Sequence, residues 1–505
     1  MAEWYHEKIA NFASKEELAQ RREILTEIKL KLDSLSEADR KGIVQRIDLK
    51  PLFMMLLTSN DKFETEQICD AIANFSHVAE PGYVLRKHKS DIYDLISHSQ
   101  NIARAYALGE MLVVARNKEL FPQLLKETDL LVKAIEVVGD KDIGVAQIAM
   151  KILKRIGQNQ EGIKLLYSGP LMRAIAKVMT AGDVAKFRVY DVVVEIAISS
   201  EAGLEASINS GYLHDLLRIY DSDDILLQLN VLQTMCELAS TKGGLAFLEE
   251  QGFVKKLTDR IVTVNDNPLD QLLIPGLMSF FGHLAKLYPQ EVFSKYPLVI
   301  SALSKTFHSD EQNHVKIAIE TFAHIASTLE GKYVLQCNKD LTTTCLETVG
   351  KVIQTWQTQY KVDALNSLIT ILSIEKSEQN NRSLELTKSW FNLISDKALE
   401  VIISLCKQPF ADIRVASLQV FSVIASQPWG QEYIANYPGL IEFLLDRNIE
   451  SFKESKEVKF QIVKNLKDSQ SNLFDAETMQ KIKQFVSEGP FYVDVVTEVA
   501  LEGAS

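Results

Sequence analysis

Pairs of charged or polar residues four apart recur along this 505-residue chain about every 42 residues. They are Lys151 with Arg155, Asp191 with Glu195, Gln233 with Glu237, and Glu320 with His324. Residues four apart share one side of a helix, so each pair offers two adjacent ionic or hydrogen-bonding groups. The chemistry open to such a stripe is recognition of a partner surface. Its sign changes along the chain, from Lys151 and Arg155 to Asp191, Glu195 and Glu237. A mixed stripe suits a protein partner rather than nucleic acid. Arg188, three residues before Asp191, is expected on the same side and joins these protein-binding candidates.

Nothing in the sequence is spaced for catalysis. The chain carries no GxGxxG or GxxxxGK loop to cradle a phosphate, and no HExxH, GxSxG or CxxC. His283 and His324 fall in one column of the repeat, but two histidines one repeat apart do not make a metal site. The expectation is a binding protein with no catalytic residues, no cofactor and no metal.

The elements that hold the stripe announce themselves by a second periodicity. An aliphatic residue followed by a small one recurs as Ile72-Ala73, Val114-Ala115, Ile156-Gly157, Ile196-Ala197, Leu238-Ala239, Leu284-Ala285 and Ile325-Ala326, with looser copies at Leu372-Ser373 and Ile424-Ala425. A period between about 40 and 47 is the signature of armadillo or HEAT helical repeats. Four residues before each small residue stands an apolar one, from Cys69 and Met111 to Phe322, Ile369 and Phe421. Spacings of three and four place these on one helical face, which must be core. The small residue is expected where two helices approach closely. Six before it no residue is large and apolar, and that column with the one two before it forms the polar stripe. The stripe is expected on the last, longest helix of each repeat, the helix that lines the concave surface of such solenoids.

Glycines punctuate the pattern. Gly162, Gly244, Gly331 and Gly430 lie five residues after the small residue and Gly203 six after, which predicts left-handed helix C-caps. A second break follows at Gly169-Pro170, Gly211, Gly252, Pro297 and Pro438-Gly439. One repeat therefore reads as three helices, nearer armadillo than two-helix HEAT. The predicted fold is all-α, a right-handed α-solenoid with a period of about 42 residues. Residues 1–50 are expected to form capping helices, with Ser14-Lys15-Glu16-Glu17 as a capping box opening a helix through Asp33. Residues 51–485 form a continuous repeat array with a polar loop near 376–383, and 486–505 form a tail.

Composition bounds the partners. The net charge of −12, from 55 basic and 67 acidic residues, argues against a phosphate-backbone ligand. The five scattered cysteines fit buried thiols in a reducing compartment. The start lacks the basic-then-apolar layout of a secretory leader. No uncharged apolar run reaches the ~20 residues of a membrane span. A cytoplasmic or nuclear location is expected. Trp390, Phe391, Trp429, Phe280 and Phe281 are candidates for either core or interface anchors.

Several stretches go beyond a generic repeat. In order they are Lys186-Phe187-Arg188-Val189-Tyr190, Asn267-Pro268 with Pro275-Gly276, Phe280-Phe281-Gly282, Ser389-Trp390-Phe391, Ser426-Gln427-Pro428-Trp429, Asp446-Arg447, and Ser487-Glu488-Gly489-Pro490-Phe491-Tyr492-Val493. From about residue 40 onward this ordered set resembles the family of the 26S proteasome non-ATPase regulatory subunit 5. The resemblance implies a proteasome assembly chaperone without enzymatic activity. Its partner would be the C-terminal domain of one base ATPase subunit, with the early assembly module of that subunit, and it would leave before the mature particle forms. It carries no contact residues over to this sequence.

An alternative from the residues alone is an armadillo-type adaptor or scaffold, for nuclear import or as a regulatory subunit. Import adaptors of that type grip basic peptides with Trp followed four residues on by Asn. Here Trp356, Trp390 and Trp429 are followed by Tyr360, Ile394 and Tyr433, so the array is missing.

Overall fold

A computed structural model of the chain describes residues 2–15, 17–44, 46–264, 269–469 and 473–492. Every regular element among the described residues is a helix, as the 3.6-residue apolar spacing requires. They form two compact units, Met1–Gln251 and Gly252–Ser505.

Nine helices carry the nine copies of the aliphatic-small pair. They are α1 (Lys62–Ser76), α2 (Asn101–Arg116), α3 (Ile143–Gly157), α4 (Asp183–Ser199), α5 (Ile225–Leu238), α6 (Ile274–Leu287), α7 (Gln312–Ile325), α8 (Thr358–Leu372) and α9 (Ala411–Ala425). Within the first unit α1 to α5 pack each on the next, and within the second α6 to α9 do the same. Two helices follow each long one, both shorter than it in every repeat but that of α7. After α4 come Glu201–Asn209 and Tyr212–Ile219, and after α9 come Pro428–Asn436 and Leu440–Leu445. The expected three-helix repeat is therefore present. In the repeat of α7 the third helix, Lys339–Thr355, is longer than α7 itself.

The core follows the columns. The aliphatic residue of each pair is buried in all nine helices. The small residue does what its size suggests. A Cβ on Gly157 would sit 2.2 Å from Cγ1 of Ile196, the aliphatic residue of the next repeat. Helices α3 and α4 thus touch small-on-aliphatic. In α8 the register slips by one residue. Leu368, Ile371 and Leu372 are buried while Ile369 is half-buried and Ser373 exposed. Leu372 takes the place that the small residue holds in the other repeats, Ser373 turns to solvent, and Ser367 of the expected polar column is buried.

The first glycine column is not a set of left-handed caps. Gly162, Gly203, Gly244, Gly331 and Gly430 lie in the first turn of the following helix, and none is among the positive-φ glycines. A Cβ on each would fall 2.0–2.2 Å from the carbonyl oxygen of Ile156, Ile196, Leu238, Ile325 or Ile424, the aliphatic residue of the pair. Glycine is needed because one helix start rests on the last turn of the helix before it. Four of these glycines also donate their N–H to an N-cap side chain, Asn159, Ser200, Thr241 or Thr328. The left-handed glycines belong to the second break, where Gly211, Gly252 and Gly439 take φ of +81°, +70° and +75°.

At the N-terminus the expected capping box is absent. Ser14 ends the helix Ala2–Ser14, its hydroxyl bonded to the Asn11 carbonyl, and Glu17 takes the N-cap of Leu18–Asp33 with its carboxylate accepting from Gln20 instead of capping a backbone N–H. Glu16 lies outside the described residues. The polar stretch 376–383 is shorter as a loop than expected. It holds the 3₁₀ turn Lys376–Glu378, and Asn380 with Ser383 then forms a capping box on Asn381–Leu393. At the C-terminus Ala476–Glu488 is a further helix. Arg447 donates to the carbonyls of Phe485 and Gly489, at 2.9 and 2.7 Å, joining two of the stretches that carry the resemblance. Asn267-Pro268 and residues from Val493 onward lie outside the described residues.

Candidate protein-binding surface

The stripe is built on α3, α4 and α5 of the first unit. Asp191 and Glu195 stand one turn apart on α4, half-buried. Lys154 on α3 reaches both, with Nζ 2.9 Å from Asp191 Oδ1 and 3.8 Å from Glu195 Oε2. On α5, Gln233 and Glu237 stand one turn apart and exposed. The Glu237 carboxyl is pushed above the usual carboxylate range, first by burial, then by the charge of Asp191, with Lys154 opposing and Glu195 adding. Three carboxylates therefore share the field of one ammonium. This surface holds surplus negative charge.

The basic members of the candidate set go elsewhere. Lys151 is exposed on α3. Arg155 donates through Nε to the Ala115 carbonyl in the last turn of α2, at 3.3 Å, and through Nη1 to Gln158 at 2.9 Å. Arg188 donates to the carbonyls of Val138 and Asp140, at 3.0 and 2.7 Å. Its guanidinium ties down the turn before α3 instead of lying beside Asp191 as expected. Both arginines satisfy backbone acceptors of a preceding repeat.

In the second unit, Glu320 and His324 lie on α7. Lys316, on the same helix, is 2.8 Å from Asp363 of α8 and 3.7 Å from Glu320. Burial raises the Glu320 carboxyl, Lys316 opposes that, and Asp363 adds to it. The rings of His324 and His283 stack, centroids 6.1 Å apart and planes at 20°. Both are held below the usual histidine range, first by burial and then by Lys286, with His283 adding for His324. Among the described residues no group of three or more His, Cys, Asp or Glu is placed to hold a metal ion.

Sequence reasoning missed Lys154, Lys316 and Asp363, because each lies off the two polar columns and meets them only across a helix-helix contact. It also missed an apolar row. Ile143, Val184 and Leu226 stand in the first turn of α3, α4 and α5 and are 64%, 69% and 72% exposed. Their signal was available, since they recur 14, 13 and 13 residues before Gly157, Ala197 and Ala239. The aromatic candidates resolve to core. Trp390, Phe391, Trp429, Phe280 and Phe281 are all buried. Four of the five cysteines are buried as well, Cys337 being exposed.

Comparison with known proteins places this geometry. The family described as "Proteasome non-ATPase 26S subunit" matches residues 1–505. The chain is 29% identical over 476 residues to bovine 26S proteasome non-ATPase regulatory subunit 5, covering 94% of each. It is 29% identical to the human protein of that name, over 90% of this chain and 91% of that one. The Drosophila melanogaster protein is 26% identical over 81% of this chain and 77% of its own length. Among solved structures, importin beta matches with a TM-score of 0.55 at 10% identity, over 95% of this chain and 67% of that one. Kap121p bound to Pho4p matches at 0.52 and 10% identity, over 96% and 51%. At such identities the likeness shows the fold alone, an all-α helical-repeat solenoid. The sequence match that spans the whole chain goes further: the protein belongs to the proteasome non-ATPase 26S subunit family.

Proposed function

We propose that this chain is an assembly chaperone for the base of the 26S proteasome regulatory particle. It binds the C-terminal domain of one base ATPase subunit through the surface of its long helices, holds the early module of that subunit, and leaves before the mature particle forms. It acts by binding, without catalysis. The observation that carries the reading is the surplus of carboxylate on α4 and α5, set on a helical-repeat scaffold whose relatives are named as proteasome regulatory subunits. Asp191, Glu195, Gln233 and Glu237 are the contact residues, with Lys151 at the edge. Glu320 and His324 are a second group in the other unit. No helix among the described residues is long and apolar enough to cross a membrane.

The test is a pull-down with the isolated C-terminal domain of each base ATPase in turn. Retention of one of them at micromolar concentration is the expected result. Retention of none would remove the chaperone reading.

A further inference from the structure

The exposed face of α3, α4 and α5 has two edges of different chemistry. On α5, Leu226, Asn230, Gln233 and Glu237 follow at spacings of four, three and four, which keeps them on one helical side. On α4, Val184, Arg188, Asp191 and Glu195 follow at the same spacings. Each helix thus starts its exposed side with a large aliphatic group and ends it with carboxylates. Ile143 extends the aliphatic edge onto α3, and Lys154 there faces the carboxylates. Val184 and Leu226 hold one repeat position on neighbouring helices, Ile143 stands one residue off it on the helix before, and all three are more than three-fifths exposed, so they are not scattered surface residues.

We infer that this face takes an amphipathic helical segment of the partner that carries an apolar stripe beside a row of Lys or Arg. The inference rests on the proposed function and adds the partner's chemistry to it. At 1.5 Å per residue, the aliphatic and carboxylate edges lie about 10 Å apart from Val184 to Asp191 and about 16 Å from Leu226 to Glu237. A helix of ~10–12 Å diameter fits between them, its apolar stripe on Ile143, Val184 and Leu226 and its cations reaching the carboxylates. Three long helices packed ~8–10 Å apart span about 20 Å, the length of a helix of some 13 residues. A second copy of this chain is a poor occupant, because it would bring the same carboxylates and a net charge of −12 against this face.

The probe is a 14-residue synthetic peptide with Leu at i, i+3, i+7 and i+10 and Lys on the adjacent stripe, with a scrambled peptide of equal composition as control. Fluorescence anisotropy with the full chain reads its affinity. The amphipathic peptide binds at least tenfold more tightly than the scrambled one. Val184→Asp with Leu226→Asp weakens it at least tenfold at low and high salt. Glu195→Gln with Glu237→Gln weakens it at low salt and flattens the salt dependence. Thermal melts show that both double variants remain folded, as expected for exposed side chains. Equal binding of the two peptides, or no effect of the aliphatic changes, overturns the inference. The ATPase pull-down separates the two ideas. If an ATPase domain is retained equally by wild type and the Val184/Leu226 variant, the aliphatic edge is not the docking surface, while the chaperone reading stands.

Discussion

Replacing Gly244 by alanine should destabilise the chain, whereas the same change at Gly109 should stabilise it. Both glycines are helical, and alanine is intrinsically better in a helix by up to ~1 kcal/mol. Gly109 lies in α2, and a Cβ there would meet nothing within 4 Å. The helix preference should therefore be realised in full. At Gly244 the Cβ would lie 2.0 Å from the Leu238 carbonyl oxygen, a full ångström inside the 3.0 Å that real Cβ atoms respect. That oxygen is backbone, so relief requires the helix Lys242–Glu250 to move off the end of α5. Overpacking costs ~1–3 kcal/mol, and a full ångström of overlap with backbone belongs in its upper part, ~2–3 kcal/mol. Set against the helix gain, the net loss is ~1–2 kcal/mol. For a unit of this size each kcal/mol moves Tm by ~2–4 °C, so Gly244→Ala should melt roughly 2–8 °C lower. Differential scanning calorimetry on both variants reads the contrast. If Gly244→Ala melts at or above wild type, the close approach assigned to this glycine column is wrong.

Three further outcomes follow from particular side chains. Ala239→Leu should cost ~1–3 kcal/mol in thermal or urea unfolding, because Ala239 is buried in the close-approach column; a neutral result would remove the packing argument. His283 and His324 are held below the usual histidine range, so the folded chain binds fewer protons than the unfolded one between their lowered values and ~6.5. Stability should therefore fall as pH drops below about 6.5, and His283→Gln with His324→Gln should flatten that slope in urea titrations from pH 8 to 5. Lys332, 2% exposed, donates to the carbonyls of Ala326 and Thr370 and so ties α7 to α8. Lys332→Met should lose ~1–3 kcal/mol by stranding those acceptors. Burial pulls this lysine down to about 8, so the wild-type advantage should grow as pH rises from there toward the ordinary lysine value.

Much of the scaffold was legible because a stacked repeat writes one packing contact many times. The aliphatic-small pair marked Gly157 against Ile196, and its aliphatic member is buried in every copy, although in α8 the register slipped by one and Ser373 turned to solvent. The glycines were legible as breaks but not in kind. A glycine that avoids a carbonyl and a glycine at positive φ read alike in sequence, and only the place of Gly244 inside a helix, against Gly211 at its head, tells them apart. The stripe was half legible. Its acidic members gathered as expected, since spacing on one helix fixes a shared side. Arg155 and Arg188 turned away because long side chains reach carbonyls in neighbouring repeats, and Lys154, off both polar columns, reaches the carboxylates of the next helix by the same length. The quoted motifs proved largely internal. Gln427 and Trp429, for example, bond Thr387 in the core.

In the proposed function the carboxylates of α4 and α5 meet a base ATPase C-terminal domain. The most direct measurement is the affinity of the retained domain for wild type and for Asp191→Lys, Glu195→Lys, Glu237→Lys together, by titration calorimetry, with circular dichroism showing both folded. A loss of at least tenfold, larger at low salt than at high, is the predicted result. An unchanged affinity at both salt concentrations would contradict the claim and move the interface off this surface.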